Sequence, residues 1–467
     1  MESRSQPTAI VIGGGLAGLT CAFRLHQGGF TVTGFEAQER LGGRCWTARD
    51  LADGQVSEHG GELIDPSHER ILGLIAELGL DLEDRAGAAS LTGKTKGRYV
   101  FGGTEITNEL IAADAKVFYT ALQADVDRMG PFEVRYDRAT DATREIDAMT
   151  VDEWLADRLG DTSTLLCQLL ISSVNSLYGD TSDRLSAITL FEVYFQVLHA
   201  AEPSILEHME SSLIDQTHVR GGNDLIVSAI ADRLAPGTFR LNAPLEQLWR
   251  LEDGAGLAVG GEEYEADVVV LALPFPALRN VDIDRAGFEG ERLEAIRHLN
   301  MGRNTKLMFK VNRPLAAIDG WRGLAASDDG GEDVFIWDST SDQPGESAIL
   351  TIFTAEPIFD AGQFHGPAGA AARDKGRRMA EALIPGISAA LDGPVWLDSW
   401  PDNPWIGGSF AAFLAGQVTR WNGLIAEPDG PFLFCGEHTA RYWQGYLEGA
   451  VESGERAATE AVARMMR

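Results

Sequence analysis

Residues Thr8 to Thr47 constrain the fold of this chain more than any other stretch. The apolar run Ala9-Ile10-Val11-Ile12 leads directly into Gly13-Gly14-Gly15-Leu16-Ala17-Gly18. Helix-spaced apolar positions follow at Leu19, Cys21, Ala22 and Leu25, and then a second strand-like run from Thr31 to Phe35 that ends at Glu36. The pattern predicts a strand–turn–helix–strand unit with G-x-G-x-x-G at Gly13, Gly15 and Gly18. Gly13 permits the tight turn, Gly15 lets backbone approach a pyrophosphate, and Gly18 lets helix and strand pack closely. Leu16 and Ala17 open the helix, whose free N–H groups and partial positive charge would face the phosphates. Glu36 is placed to accept hydrogen bonds from the hydroxyls of an adenosine ribose. With 52 glycines in the chain the spacing alone would arise by chance; the flanking strand, helix and acid give it meaning.

The pattern continues through Ala37-Gln38-Glu39-Arg40-Leu41-Gly42-Gly43-Arg44. A second glycine pair brings more backbone to the same phosphates, and Arg44 adds a cation. Simple nicotinamide dehydrogenases have no need of this turn. It resembles the E-A-x-x-R-x-G-G-R signature of FAD-dependent amine oxidases, which implies FAD rather than NAD.

A chain of 467 residues exceeds one compact core, so two domains are expected. Its net charge of −31 opposes nucleic acid and anionic membranes, and it serves either cation steering or solubility. The four cysteines, Cys21, Cys45, Cys167 and Cys435, include no C-x-x-C pair, so neither a disulfide framework nor a metal site is expected. The first residues lack an apolar signal core, and no apolar run is long enough to span a bilayer. A cytoplasmic protein without a membrane anchor is the expectation.

Glu58 to Pro66 reads as a strand and turn carrying the glycine pair Gly60-Gly61 and then Glu62. A helix is predicted from His68 to Leu78. The block from about 105 to 208 is mostly helical by period, with helices over Leu110–Met129, Val151–Leu159, Leu165–Leu177 and Ala187–Leu198. The glycine idiom returns at Arg220-Gly221-Gly222-Asn223, before a helix over Asp224–Leu234. Strands follow at Leu245–Leu251, Leu257–Val259 and the apolar run Ala266–Leu273. Beyond them the strands Thr305–Val311, Val334–Trp337 and Ala348–Thr354 precede a helix over Ala370–Leu383. The segments 1–85, 215–285 and 396–467 are assigned to a cofactor domain, and 86–214 with 286–395 to a substrate domain.

Near the end, Phe432-Leu433-Phe434-Cys435-Gly436-Glu437-His438 is a strand and loop. It precedes Gly445-Tyr446-Leu447-Glu448-Gly449 and a helix running to about Met466. Together with the glycine–arginine turn and Gly60-Gly61, this run resembles the flavin-containing monoamine oxidase family, which includes L-amino acid and polyamine oxidases. The resemblance covers nearly the whole chain. It implies an α/β fold in which a Rossmann-like FAD-binding domain interleaves with an α+β substrate domain of mixed sheet flanked by helices. It also implies FAD and hydride transfer from the carbon next to an amine nitrogen to flavin N5. An imine then hydrolyses to an aldehyde or ketone, and oxygen is reduced to hydrogen peroxide.

Matched residue by residue, the family pattern makes Lys306 the lysine that meets flavin N5 through a water and Trp400 the tryptophan packed along the flavin. Phe410 and Tyr446 become the aromatic pair that guides an uncharged amine. Ser409 stands where mitochondrial monoamine oxidases carry a flavin-bonded cysteine, so FAD is expected to be non-covalent. Gly436, Glu437, Gly445 and Leu447, together with Leu245, complete the cofactor set. Leu63 stands where venom-type L-amino acid oxidases place a carboxylate-gripping arginine, which argues for amines, although Arg220 or Arg303 could substitute. His59 and His438 read as hydrogen-bonded structural histidines. The expected partners are a small amine and O2, with no nucleic acid; a homodimer is allowed. The competing readings are an L-amino acid oxidase, a flavin desaturase or protoporphyrinogen-type oxidase, and a non-catalytic FAD-binding protein.

Overall fold

A computed structural model describes residues 6–49, 51–52, 54–83, 97–130, 134–199, 203–214, 217–318, 321, 323–328, 332–341, 343–355 and 364–466. Its centre is a five-stranded parallel sheet. The strand Thr8–Ile12 lies between Thr31–Phe35 and Val268–Leu271, with Phe239–Arg240 and Phe432–Phe434 at the edges. The sequence alternation divides this sheet cleanly. Ala9, Val11, Val268 and Val270 face one apolar cluster, while Ile10, Ile12, Val269 and Leu271 face another. Burial on both faces is what makes these strands continuous apolar runs. The helices Leu16–Gln27 and Leu447–Met465 cover the first face, where Gly454 lets the two backbones touch. A Cβ on Gly454 would lie 2.5 Å from the Ala17 carbonyl oxygen.

The second face is covered by a four-stranded sheet, ordered Glu262–Ala266, Gly254–Val259, Leu245–Leu251 and Asp282–Arg285. The sequence pattern showed two of these strands. The outer two are short and mostly exposed, so they carry no apolar alternation.

An eight-stranded mixed sheet forms the other half, with Thr305–Val311 between Leu391–Ser399 and Ala348–Thr354. Helix Ala370–Leu383 packs on one face through Met379, Ala380 and Leu383. The strand Leu391–Ser399 runs past the expected domain boundary at 395, so the chain changes sheets only after Ser399. The expected boundaries near 85 and 215 lie outside the described residues.

The helical block spans Asn108–Met129, Asp141–Asp147, Val151–Leu159, Leu165–Tyr178 and Ile188–Tyr194. Threonine side chains at 107, 140, 150 and 164 cap four of these helices, and Thr150 with Glu153 forms a capping box. The last helix ends at Tyr194 and tightens into a 3-10 turn over Phe195–His199, shorter than the expected span to Leu198. Among the described residues no helix is long and apolar enough to cross a membrane.

Candidate active site

A continuous cavity of about 870 Å³ runs between the halves, from Glu36 and Ala37 past Gly15, Gly43 and Arg44 to Lys306, Trp400, Phe410 and Tyr446. That volume is at the upper end of small-molecule sites, which span roughly 300–1,000 Å³.

The glycines of the first turn do three different jobs. Gly13 adopts φ +103°, a left-handed conformation that side chains avoid. A Cβ on Gly18 would lie 2.0 Å from the Gly13 carbonyl oxygen, so this position holds helix against turn. A Cβ on Gly15 would meet only the Gly42 carbonyl oxygen, at 4.0 Å, because it would point into the cavity. Gly42 and Gly43 also line the cavity and both have positive φ. The helices Leu16–Gln27 and Leu447–Met465 begin at this cavity, and neither has a side-chain cap. Two sets of unpaired helix N–H groups beside a backbone cradle suit a dinucleotide pyrophosphate and the electron-rich end of a flavin, so the site fits FAD.

Other residues of the cofactor set take less direct positions. Glu36 is buried and accepts from the Gly14 and Gln38 backbone N–H groups, at 2.7 and 2.8 Å. Burial outweighs those bonds and raises its pKa. Arg40 lies behind the turn and not in the cavity wall. It donates to the carbonyls of Leu41 and Gly43 and stacks 4.1 Å over Trp46. Arg44 lines the cavity with its charge already matched, since Nη1 donates to Glu437 at 2.8 Å and to the Ser409 carbonyl at 2.7 Å. Glu437 also accepts from the Gly445 N–H at 2.7 Å, tying the arginine to the last helix. The remaining residues, Leu16, Ala17, Gly60, Gly61, Leu245, Gly436 and Leu447, all border the cavity.

Lys306 is more committed than the sequence suggests. It is 6% exposed, and Nζ donates to the Glu58 carbonyl (2.9 Å), the Gly60 carbonyl (3.0 Å) and Glu62 Oε2 (2.8 Å). An ammonium has three N–H donors, so any water at Nζ must displace one of these partners. Glu62 accepts a further hydrogen bond from Trp337 Nε1 at 2.9 Å. Burial pushes the Glu62 pKa up, but the Lys306 charge and these hydrogen bonds bring it below the ordinary value. The resulting ion pair pins the Glu58–Glu62 segment to the strand Thr305–Val311. Asn223 holds the segment from the other side through its bonds to Gly61, Glu62 and Glu58. Asn223, just after the Gly221-Gly222 pair, thus serves the cofactor segment, and a Cβ on Gly222 would lie 2.4 Å from the Thr47 side chain.

Trp400 is buried, donates to the His59 carbonyl at 3.0 Å, and packs where a Cβ on Gly60 would lie. Phe410 rests against Gly445, and Tyr446 meets His68 and Trp443 edge-on at 5.2 and 5.7 Å. Ser409 donates to Asn304 Oδ1 at 2.5 Å. Leu63 lines the cavity, whereas Arg220 and Arg303, the alternative carboxylate partners, do not.

The two histidines differ from each other. His59 is hydrogen-bonded, with Nδ1 2.8 Å from Asp398, which also meets His365 Nδ1 at 2.6 Å. The expected hydrogen bond of His438 is not found among the described residues, where both buried ring nitrogens have no partner and the ring packs 4.8 Å from Phe275. Burial lowers its pKa to about 4. Its neutral form is therefore favoured in the fold, and its contribution is complete above the unfolded value near 6.5 and is lost as pH falls through 4. A His438→Leu variant is expected to lose roughly 3 kcal/mol less stability than the parent between pH 6.5 and 4. Urea melts at the two pH values check this, and parallel losses would contradict it.

Known proteins resemble this chain along nearly its whole length. Human amine oxidase [flavin-containing] B is 26% identical over 468 residues, covering 98% of this chain and 86% of the relative. Amine oxidase [flavin-containing] A of Canis lupus familiaris is 27% identical, covering 97% and 84%. The structure of cyclohexylamine oxidase from Brevibacterium oxydans IH-35A superposes with a TM-score of 0.82 at 22% identity, covering 99% of this chain and 100% of that one. The profile of the family described as flavin containing amine oxidoreductase matches residues 16–462, nearly the entire chain, and the protein belongs to that family.

Proposed function

We propose that the protein is an FAD-dependent oxidase of amines that binds its flavin without a covalent bond. The observation that carries this reading is one cavity that joins the uncapped helix ends and glycine cradle to Lys306, Trp400, Phe410 and Tyr446. When bound, FAD supplies a two-electron acceptor for hydride from the carbon next to nitrogen and passes those electrons to O2, giving hydrogen peroxide. The protein's part is to hold the neutral amine, orient its carbon and limit water. Phe410 and Tyr446 supply apolar ring faces for the amine. Trp400 and the Lys306–Glu62 pair fix the Gly60–Gly61 wall of the same cavity. No side chain is required as a base once the amine enters deprotonated. The imine leaves as an aldehyde or ketone after hydrolysis.

An amino acid substrate is disfavoured because its carboxylate would meet Leu63 without a cation. Peroxide release across aryl-alkyl amines, polyamines and L-amino acids tests the reading; a response to amino acids alone would overturn it. Ser409 in place of a bonding cysteine supports non-covalent FAD. Acid precipitation is expected to leave a yellow supernatant, and colour held in the pellet would contradict this.

A further inference from the structure

We propose that His59, His365 and Asp398 form a binding site for one transition-metal dication of the zinc type, beside the cofactor cavity and distinct from it. One ligand atom from each of the three lies within 4.8 Å of the others. None of the three lines the cavity, so the site stands apart from the amine chemistry. The fold assembles it from distant parts of the chain. His365 and Asp398 are partners across the antiparallel strands His365–Pro367 and Leu391–Ser399. His59 enters from the Glu58–Glu62 segment, 339 positions before Asp398. No spacing motif shows such a set, and the cysteine spacing bears only on thiolate sites.

Asp398 is the anchor. It is fully buried, and its two oxygens meet Nδ1 of His59 at 2.8 Å and Nδ1 of His365 at 2.6 Å. Among the described residues no lysine or arginine pairs with it. Lys306, its partner across the next strand pair, is committed to Glu62 and two backbone carbonyls. A carboxylate held out of water against two imidazoles needs a counter-charge. A dication bound by both imidazoles supplies it.

Aromatic rings hold the two imidazoles in place. The Trp46 ring lies 4.0 Å from His59 and 4.4 Å from His365, and Trp396 stacks on His365 at 5.0 Å with 9° between planes. Two imidazole nitrogens and one carboxylate suit Zn2+, Cu2+ or Ni2+ rather than Mg2+, and three protein ligands leave a fourth position for water. Ligand atoms of a tetrahedral zinc site stand about 3.4 Å apart, so the two Asp398 contacts must widen by roughly 0.7 Å to admit the ion. His365 can give way, because its strand is at the sheet edge and its side chain is 22% exposed, which also opens a path for the ion. A bound ion would brace the cavity wall: the His59 carbonyl accepts from Trp400, and the next residue, Gly60, lines the cavity.

Calorimetric titration of the untagged, FAD-loaded protein, first stripped with a chelator, tests this with Zn2+ and separately with Mg2+. The parent is expected to bind one Zn2+ per chain with a Kd of about 10 µM or tighter, and excess Mg2+ should not displace it. His365→Ala should weaken Zn2+ binding by at least about 10- to 100-fold. Should that variant fail to fold, His59→Leu removes a ligand from the other side, with the same loss expected. Zn2+ should also raise the melting temperature of the parent and leave that of the variant unchanged. A parent that binds no Zn2+, or binds it only at many weak sites shared with Mg2+, would leave a protonated imidazole as the counter-charge of Asp398 and overturn the proposal. A folded variant that binds Zn2+ like the parent would overturn it as well.

Discussion

Lys306→Met is expected to destabilise the fold by about 3–5 kcal/mol, the cost of leaving a buried carboxylate without its partner. Glu62 is as buried as Lys306, and its remaining hydrogen bond, from the neutral Trp337 indole, cannot replace a full positive charge. Two backbone carbonyls, of Glu58 and Gly60, lose their donor in the same change. The double variant Lys306→Met/Glu62→Gln should recover much of the loss, because it removes the orphaned charge along with its partner. Denaturant unfolding of the two variants checks this. A single variant within about 1 kcal/mol of the parent would show that Glu62 finds another partner, and the ion pair would lose its structural role.

The second large effect separates two glycines of one motif. Gly15→Val should fold, because φ at this position is −72° and the added carbons enter open cavity. It should also weaken FAD binding by at least about 100-fold, roughly 2.7 kcal/mol, because those carbons occupy the pyrophosphate cradle. Gly18→Ala adds only one carbon but drives it into the Gly13 carbonyl, so it should lose more than about 3 kcal/mol of stability. Flavin titration of the apoproteins together with their unfolding curves gives both readings. A Gly15→Val protein that binds FAD like the parent would move the pyrophosphate elsewhere.

These contrasts show which parts of the site sequence can carry. The cofactor turn was legible because its chemistry is local: glycine spacing, strand and acid lie within forty residues, and only backbone needs to be placed. Strands buried on both faces were legible for the same reason, as apolar runs in the chain itself. The partner of Lys306 was not, since Glu62 lies 244 positions away and is brought near only by the packing of one sheet against the cofactor segment. The same holds for Arg44 with Glu437, 393 positions apart. Arg40 matched the signature, but its role as a brace depends on which way the turn folds back.

The family resemblance reached most of the cavity because the pattern was matched at spaced positions, and all four residues assigned to chemistry, Lys306, Trp400, Phe410 and Tyr446, line one space. What it did not reach was the balance of charge within that space, which the long-range ion pairs set.

Mixing the FAD-loaded protein with aliphatic and aryl-alkyl mono- and diamines in the absence of oxygen tests the central claim most directly. The yellow absorbance should bleach with at least one amine and return on admission of air, with one hydrogen peroxide formed per flavin. A protein that stays yellow with every amine, while FAD remains bound, would contradict the account.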